Sequence, residues 1–313
     1  MSTQTEARAG IAVANAPVSY GAFEITVGHD PNVPDGISVL DQVAAAGYAG
    51  IDLGPAGYLG SGTRLGELLA ERNLGLAGGY LELPYADHDA LEPALGELDA
   101  LLTTFDAVRP YLPGPPPRPT LADAGSRERR GRPGRSATQP ALGLDRDGWR
   151  AFAEGLARVT GRCRDRGYEP TFHPETGTYV EAPWEIEEVL DRSDIGLCLE
   201  TGHMMLGGGD PVGMLRDWGE RVNHVHLKDA VRSVMAGIVA DGAPVTEIWS
   251  REAFCALGRG DLDVAGILDG LAGIGFGGWL VVEQDILPRS RERFAQAADE
   301  QRHNREFLAE RGL

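Results

Sequence analysis

Apolar residues in this chain fall into short runs, separated by segments in which they recur at helical spacing. IAVANAPVS (residues 11–19) reads as a strand, and the segment 34–47 that follows repeats its apolar positions every three or four residues up to a glycine stop. GIDLG (50–54) is a short buried strand, TRLGELLAERN (63–73) a helix, LAGGYLEL (76–83) a third strand and 89–108 a third helix. Beyond residue 139 the pattern predicts helices at 145–167, 182–192, 210–221, 261–274 and 288–311. Strands fall between them at 168–173, 195–200, 222–227 and 278–284. Asp210 is the expected N-cap of its helix, with Pro211 at the first helical position.

An irregular stretch, 109–139, interrupts this rhythm. Within it PTLADAG predicts a fourth strand, and the basic, proline- and glycine-rich remainder, SRERRGRPGRSAT, reads as a solvated loop insertion. The alternative is a lid that brings arginine to an anionic substrate or a neighbouring subunit.

That makes about eight β-α units. The later strands are apolar on both faces, as in a parallel sheet covered outside by helices. Eight units fit an α/β single-domain (β/α)8 TIM barrel over residues 11–313 better than an open doubly wound sheet. No GxGxxG follows the first strand, which argues against a dinucleotide-binding domain. MSTQTEARAG, residues 1–10, has no apolar run and is expected to be a disordered tail.

Charge and cysteine content narrow the partners. With 47 acidic against 29 basic residues the net charge is −18, a field that repels phosphate backbones and excludes nucleic acid. No apolar stretch approaches the roughly 20 residues that span a bilayer, so a membrane partner is excluded and a cytoplasmic protein expected. Cys163, Cys198 and Cys255 are far apart and form no CxxC pair, as in a reducing compartment.

In such a barrel, catalytic residues stand at the C-terminal ends of strands. The fifth strand ends TFHPETG, with His173 and Glu175, and the sixth ends LCLETGH, with Glu200 and His203. The seventh ends NHVHLKD, with His224, His226, Lys228 and Asp229, and the eighth ends VVEQD, with Glu283 and Asp285. Residues two apart on a strand share a face, which aligns His173 with Glu175 and His224 with His226. Imidazole plus carboxylate suits Mn2+, Co2+, Fe2+ or Zn2+ better than Ca2+. No cysteine stands at a matching position, which argues against a structural zinc site. His203 and His224 read equally as groups orienting the ligands or as packed histidines, and Lys228 with Asp229 as a structural ion pair. Tyr20, Phe23 and Glu24, after the first strand, and Tyr80 and Glu82, in or near the third, line the pocket or pack.

FHPETGTYVEAPWEIEEVL, GLCLETGHMMLGGGDPVGMLRDWGERVNHVHLKD and GWLVVEQD, with PVSYG near the start, resemble the xylose-isomerase-like TIM-barrel superfamily of sugar isomerases, epimerases and inosose dehydratases. Within it they resemble the inosose dehydratase branch. The resemblance implies one divalent cation, Mn2+ or Co2+ first and Zn2+, Fe2+ or Mg2+ next, held by His173, Glu200, His226 and Glu283. Two motifs depart from it. LETGH stands where LDTGH is usual, and HPE where HPH is usual, so the fifth-strand ligand is His173 or Glu175, with His173 favoured. Glu175 and Glu283 are then the candidate bases, and Lys228 or His203 protonates a leaving hydroxyl or binds a substrate hydroxyl.

The activity so implied is metal-dependent dehydration of a small keto-polyol or keto-sugar, by α-proton abstraction and β-elimination. The alternatives are a sugar isomerase or epimerase and a non-catalytic sugar-binding barrel. A nuclease of the endonuclease IV type would need more His and Asp ligands and a basic groove, against the charge of −18. Barrels of this kind often pair, so a homo-oligomer with contacts at the 109–139 loop is expected.

Overall fold

The computed structural model describes residues 10–313, so the tail expected at residues 1–10 lies outside the described residues but for Gly10. β1 (Ile11–Asn15) stops short of its expected end because Pro17, which has no N–H, opens a 3-10 turn over Pro17–Tyr20. There follow α1 (Gly36–Ala45), β2 (Gly50–Ile51), α2 (Gly62–Glu71), β3 (Gly75–Leu76), β4 (Gly78–Leu83) and α3 (His88–Val108). The 109–139 stretch is not wholly irregular. It contains β5 (Arg118–Asp123), where PTLADAG predicts a strand, and the short α4 (Arg127–Arg130).

The second half runs α5 (Arg146–Asp165), β6 (Thr171–Phe172), α6 (Pro183–Arg192), β7 (Gly196–Glu200), α7 (Thr201–Leu206), α8 (Pro211–Trp218) and β8 (Val222–Leu227). Asp210 does occupy the N-cap position of α8, with Pro211 in the first turn, but its side chain makes no capping bond. After β8 the chain departs from the expected rhythm. It makes β9 (Asp229–Ala230), α9 (Arg232–Asp241), α10 (Glu247–Ser250) and β10 (Phe254–Cys255), with β9 and β10 paired antiparallel, before α11 (Val264–Gly273), β11 (Gly278–Val282) and α12 (Arg291–Ala309).

Nine parallel strands form one sheet in the order β3-β2-β1-β11-β8-β7-β6-β5-β4. β3 and β4 are two pieces of one stave, parted only by Ala77. The Ala77 N–H donates to Ile51 O at 2.9 Å, and its carbonyl accepts from Arg118 N at 3.0 Å. The stave thus joins β2 to β5 and closes a single-domain barrel of eight staves. Trp279 plugs the N-terminal end: a Cβ on Gly50 or Gly75 would lie 2.7 Å from its ring, so both positions need glycine.

The basic run is anchored by one arginine, while Arg127 and Arg132 stay exposed as expected of a solvated run. Arg129 is 1% exposed and donates both terminal nitrogens to Glu185, at 2.9 and 3.1 Å, with Glu181 at 3.5 Å. Nor do Lys228 and Asp229 pair. Asp229 accepts from the N–H groups of Gly258, Gly260 and Leu262, fixing the return of the 229–256 excursion. No helix among the described residues is long and apolar enough to cross a membrane.

Candidate metal centre

Barrel register gathers the strand-end residues. β7 pairs with β8 so that Glu200 stands opposite His226, and β11 pairs with β8 so that Val281 does, which leaves Glu283 just beyond. One donor atom from each of His173, Glu200, His226 and Glu283 falls within a group spanning at most 4.8 Å, and all four residues are buried. His173 Nε2 is 3.3 Å from Glu200 Oε2, and His226 Nδ1 is 3.3 Å from that same oxygen and 3.2 Å from Glu283 Oε2.

The longer acid at position 200 has a local explanation. Its Oε1 accepts from the N–H groups of Gly202 and His203 and so caps α7, while Oε2 turns into the barrel. His173 Nδ1, Glu200 Oε2 and both His226 ring nitrogens are buried without a hydrogen-bond partner. Buried polar atoms are normally satisfied. Of these, Glu200 Oε2 and His226 Nδ1 converge with His173 Nε2 and Glu283 Oε2, a mixed nitrogen and oxygen set that fits a divalent cation of borderline hardness.

Cys198 corrects one expectation: two residues before Glu200 on β7, it lies within the same 4.8 Å reach of His173 and His226. Burial pushes its thiol up to about 12, so it stays protonated and is a poorer donor than the carboxylates.

Beside this group lies a second set. His203 Nδ1 accepts from the Thr176 N–H, at 3.3 Å, and lies 2.9 Å from Thr176 Oγ1. That leaves the ring proton on Nε2, 3.3 Å from Glu175 Oε1. Glu175 Oε2 is 3.5 Å from His173 Nδ1, on the side away from Glu200. Lys228 Nζ donates to Asp285 Oδ1 at 2.8 Å and Glu283 Oε2 at 3.0 Å, and lies 3.3 Å from His203 Nε2, which as an N–H does not accept from it. Phe254, from the 229–256 excursion, meets the His203 ring edge to face and lies under the Lys228 ammonium, and Trp249 Nε1 donates to Asp285 Oδ2.

Electrostatics separate the carboxylates in the metal-free arrangement. Burial raises Glu175 well above the ordinary carboxylate range, with Lys228 only partly offsetting it. Burial acts likewise on Glu283, but there the His226 and Lys228 charges outweigh it and hold the group low. Burial and the Lys228 charge keep His203 neutral. Burial also opposes charge on Lys228, yet Asp285, Glu200, Glu283 and Glu175 hold its ammonium well above the usual value.

Asp52, just beyond β2, was not anticipated as a site residue. Its Oδ2 is 3.5 Å from His226 Nε2, and burial pushes its carboxyl up to about 7. The signal was present, since GIDLG is a strand with an acid at its C-terminal end. Of the other pocket candidates, Tyr80 sets its ring edge-on to His173 and donates its hydroxyl to Glu82, which in turn accepts from Arg130. Tyr20 packs on Phe294 and Phe23 on Trp249. His224 is fully buried beside His226, with neither ring nitrogen partnered.

Known proteins match this frame. A family model described as xylose isomerase-like TIM barrel covers residues 40–311. An inosose dehydratase of Geobacillus kaustophilus is 25% identical over 277 residues, 87% of each chain. The D-allulose 3-epimerase of Methylomonas sp. superposes with a TM-score of 0.65 at 16% identity, over 96% of this chain and 98% of its own. The IOLI protein, solved with a bound zinc atom, superposes with a TM-score of 0.66 at 13% identity, over 95% and 96%.

Proposed function

This chain belongs to the xylose isomerase-like TIM barrel family, and we propose that it is a divalent-metal-dependent lyase dehydrating a keto-polyol of the inosose type. The observation that carries this reading is the pairing of two sets: four convergent donors, and beside them Glu175, His203 and Lys228. His173, Glu200, His226 and Glu283 would hold the cation. The mixed donor set suits Mn2+ or Co2+, with Zn2+, Fe2+ and Mg2+ as the other ions to try. A bound cation would act as a Lewis acid on the substrate carbonyl and the hydroxyl next to it.

Glu175 is the base. Its raised proton affinity suits proton abstraction, and the His203 Nε2–H aims its Oε1. It takes the α-proton, the β-carbon–oxygen bond breaks, and the same carboxyl returns the proton to the departing oxygen as water. Glu283, held low by His226 and Lys228, fits a ligand better than a base. Lys228, held charged, fits the binding of a substrate hydroxyl better than proton donation. A sugar epimerase would return the proton to carbon on the other face and needs no leaving group.

The test is turnover by the chelator-stripped protein after reloading with each cation. With an inosose, the ultraviolet absorbance of a conjugated dione should appear only in the loaded enzyme, and Glu175→Gln should abolish it while still binding the cation. Conversion of free ketoses without that absorbance would support the epimerase instead. Turnover undiminished in the stripped protein would overturn the proposal.

A further inference from the structure

Glu82 and Arg130 stand at the open end of the site. Tyr80 and Glu82 lie two apart on β4 and so share its inner face, with Tyr80 beside His173 and Glu82 one step nearer the C-terminal end of the strand. Side-chain exposure rises outward along this line, from 3% at His173 and 13% at Glu175 to 33% at Glu82 and 38% at Arg130. The Glu82 charge is felt at Glu175 and the Glu175 charge at Arg130, which places the pair within range of the proposed base.

The guanidinium is held in place. Arg130 Nη2 donates to Glu82 Oε2 and, at 3.1 Å, to Ala124 O. The Arg130 carbonyl accepts from Val245 N of the 229–256 excursion at 2.8 Å, and the preceding Arg129 is buried against Glu185. The 126–136 segment thus brings an arginine to the pocket, but one that already faces a carboxylate. Lys228, deeper in the site, is matched in the same way by Asp285 and Glu283. An anionic substrate would have to displace Glu82 to gain Arg130.

An uncharged polyol meets no such conflict. Both Arg130 bonds run from Nη2, which leaves Nε and Nη1 as donors. Glu82 Oε1 accepts from the Tyr80 hydroxyl at 3.0 Å, and each carboxylate oxygen has a further lone pair. A donor and an acceptor side by side match two neighbouring hydroxyls, one giving its proton to Glu82 and the other accepting from Arg130.

We propose that Glu82 and Arg130 are the specificity wall of the pocket: together they bind two neighbouring hydroxyls of an uncharged polyol ring, and Glu82 turns away rings that carry a carboxylate. That the ring is a keto-polyol rests on the dehydratase reading above, whereas the preference for uncharged over anionic rings does not.

The experiment uses the whole protein loaded with Mn2+, an inosose as substrate and quinate, a ring polyol carboxylate, as the anionic probe. Glu82→Gln and Arg130→Gln should each raise KM for the inosose roughly 10- to 100-fold, as for lost hydrogen bonds to charged groups, with kcat within about threefold. Arg130→Lys, which keeps the charge but not the planar fork, should fall between. Quinate binding, followed by titration calorimetry, should be weak in the wild type and about tenfold or more tighter in Glu82→Gln, where the guanidinium is released to the anion. Adding Arg130→Gln should cancel that gain, with unchanged circular dichroism in each variant.

The inference is overturned if Glu82→Gln binds quinate no better than the wild type, or if the gain survives Arg130→Gln. It is equally overturned if both single variants lose kcat while KM for the inosose stays put. A wild type that turns over no inosose, with the quinate gain still present in Glu82→Gln, would sink the dehydratase reading and leave the wall standing.

Discussion

Arg129 tests whether the 126–136 segment is built into the barrel or laid on its surface. Arg129→Met keeps the volume and removes the charge, leaving Glu185 and Glu181, 0% and 1% exposed, without their guanidinium. Breaking a buried ion pair by deleting one partner costs about 3–5 kcal/mol. The remaining bonds select the lower end of that range. Glu185 still accepts from Ala182 N and Glu181 N, Glu181 accepts from Gly177 N, and the one Ser136 hydroxyl proton is shared between the two carboxylates. An unfolding entropy of about 2.1 cal/mol/K per residue gives roughly 0.66 kcal/mol/K for this chain, so about 3 kcal/mol lowers Tm by about 4–5 °C. Scanning calorimetry at pH 7 measures the shift. Adding Glu185→Gln to Arg129→Met removes one of the stranded charges and should recover part of the loss. Trypsin should also cut the arginine-rich 127–135 stretch faster in Arg129→Met, because that stretch is the part set loose. A Tm within about 1 °C of the wild type, with unchanged cleavage, would show that the buried pair contributes nothing and refute the reasoning.

Asp123 offers a pH test away from the candidate metal centre. Burial pushes its carboxyl up to about 6, although Oδ2 accepts from Gly125 N and Tyr179 N. Against an unfolded value of about 3.9, its contribution to stability is present below pH 4 and lost as pH rises through 6. The advantage of Asp123→Asn, whose amide oxygen keeps both bonds, should therefore widen by about 1 kcal/mol between pH 5 and 7.5 in urea unfolding. A constant gap would contradict the assignment. Two glycines of α5 should respond with opposite signs. A Cβ at Gly155 would meet Tyr85 O at 2.2 Å, whereas nothing lies within 4 Å of one at Gly161. Gly161→Ala should stabilise by up to about 1 kcal/mol from helix propensity, and Gly155→Ala should destabilise by about 2 kcal/mol despite the same gain. Equal effects in thermal melts would show that the close approach to Tyr85 does not matter.

The sites that could be read along the chain and those that could not differ in where their partners lie. β7, β8 and β11 are neighbouring strands, so once a barrel is inferred, Glu200, His226 and Glu283 are adjacent by register alone. Cys198 was readable by the same rule, standing two residues from Glu200 on one strand. Asp52 also stands at a strand end, but β2 has two residues and its neighbour His226 lies more than 170 residues later, so its strand-end position alone does not single it out. Arg129 shows the reverse error. Charge patterning sends a basic run to solvent, yet its burial is decided by Glu181 and Glu185, some 50 residues on, which no local spacing announces. The 229–256 excursion escaped because α10 has four residues and β9 and β10 two each, too short to show a period. The excursion nevertheless brings Phe254 onto Lys228 and Trp249 onto Asp285. Periodicity thus locates the donors on the barrel staves, whereas the groups that aim or enclose them come from contacts long in sequence. On the proposed metal reading, substitutions at Trp249 and Phe254 should shift cation affinity in a titration, while those at His173, Glu200, His226 and Glu283 should abolish binding.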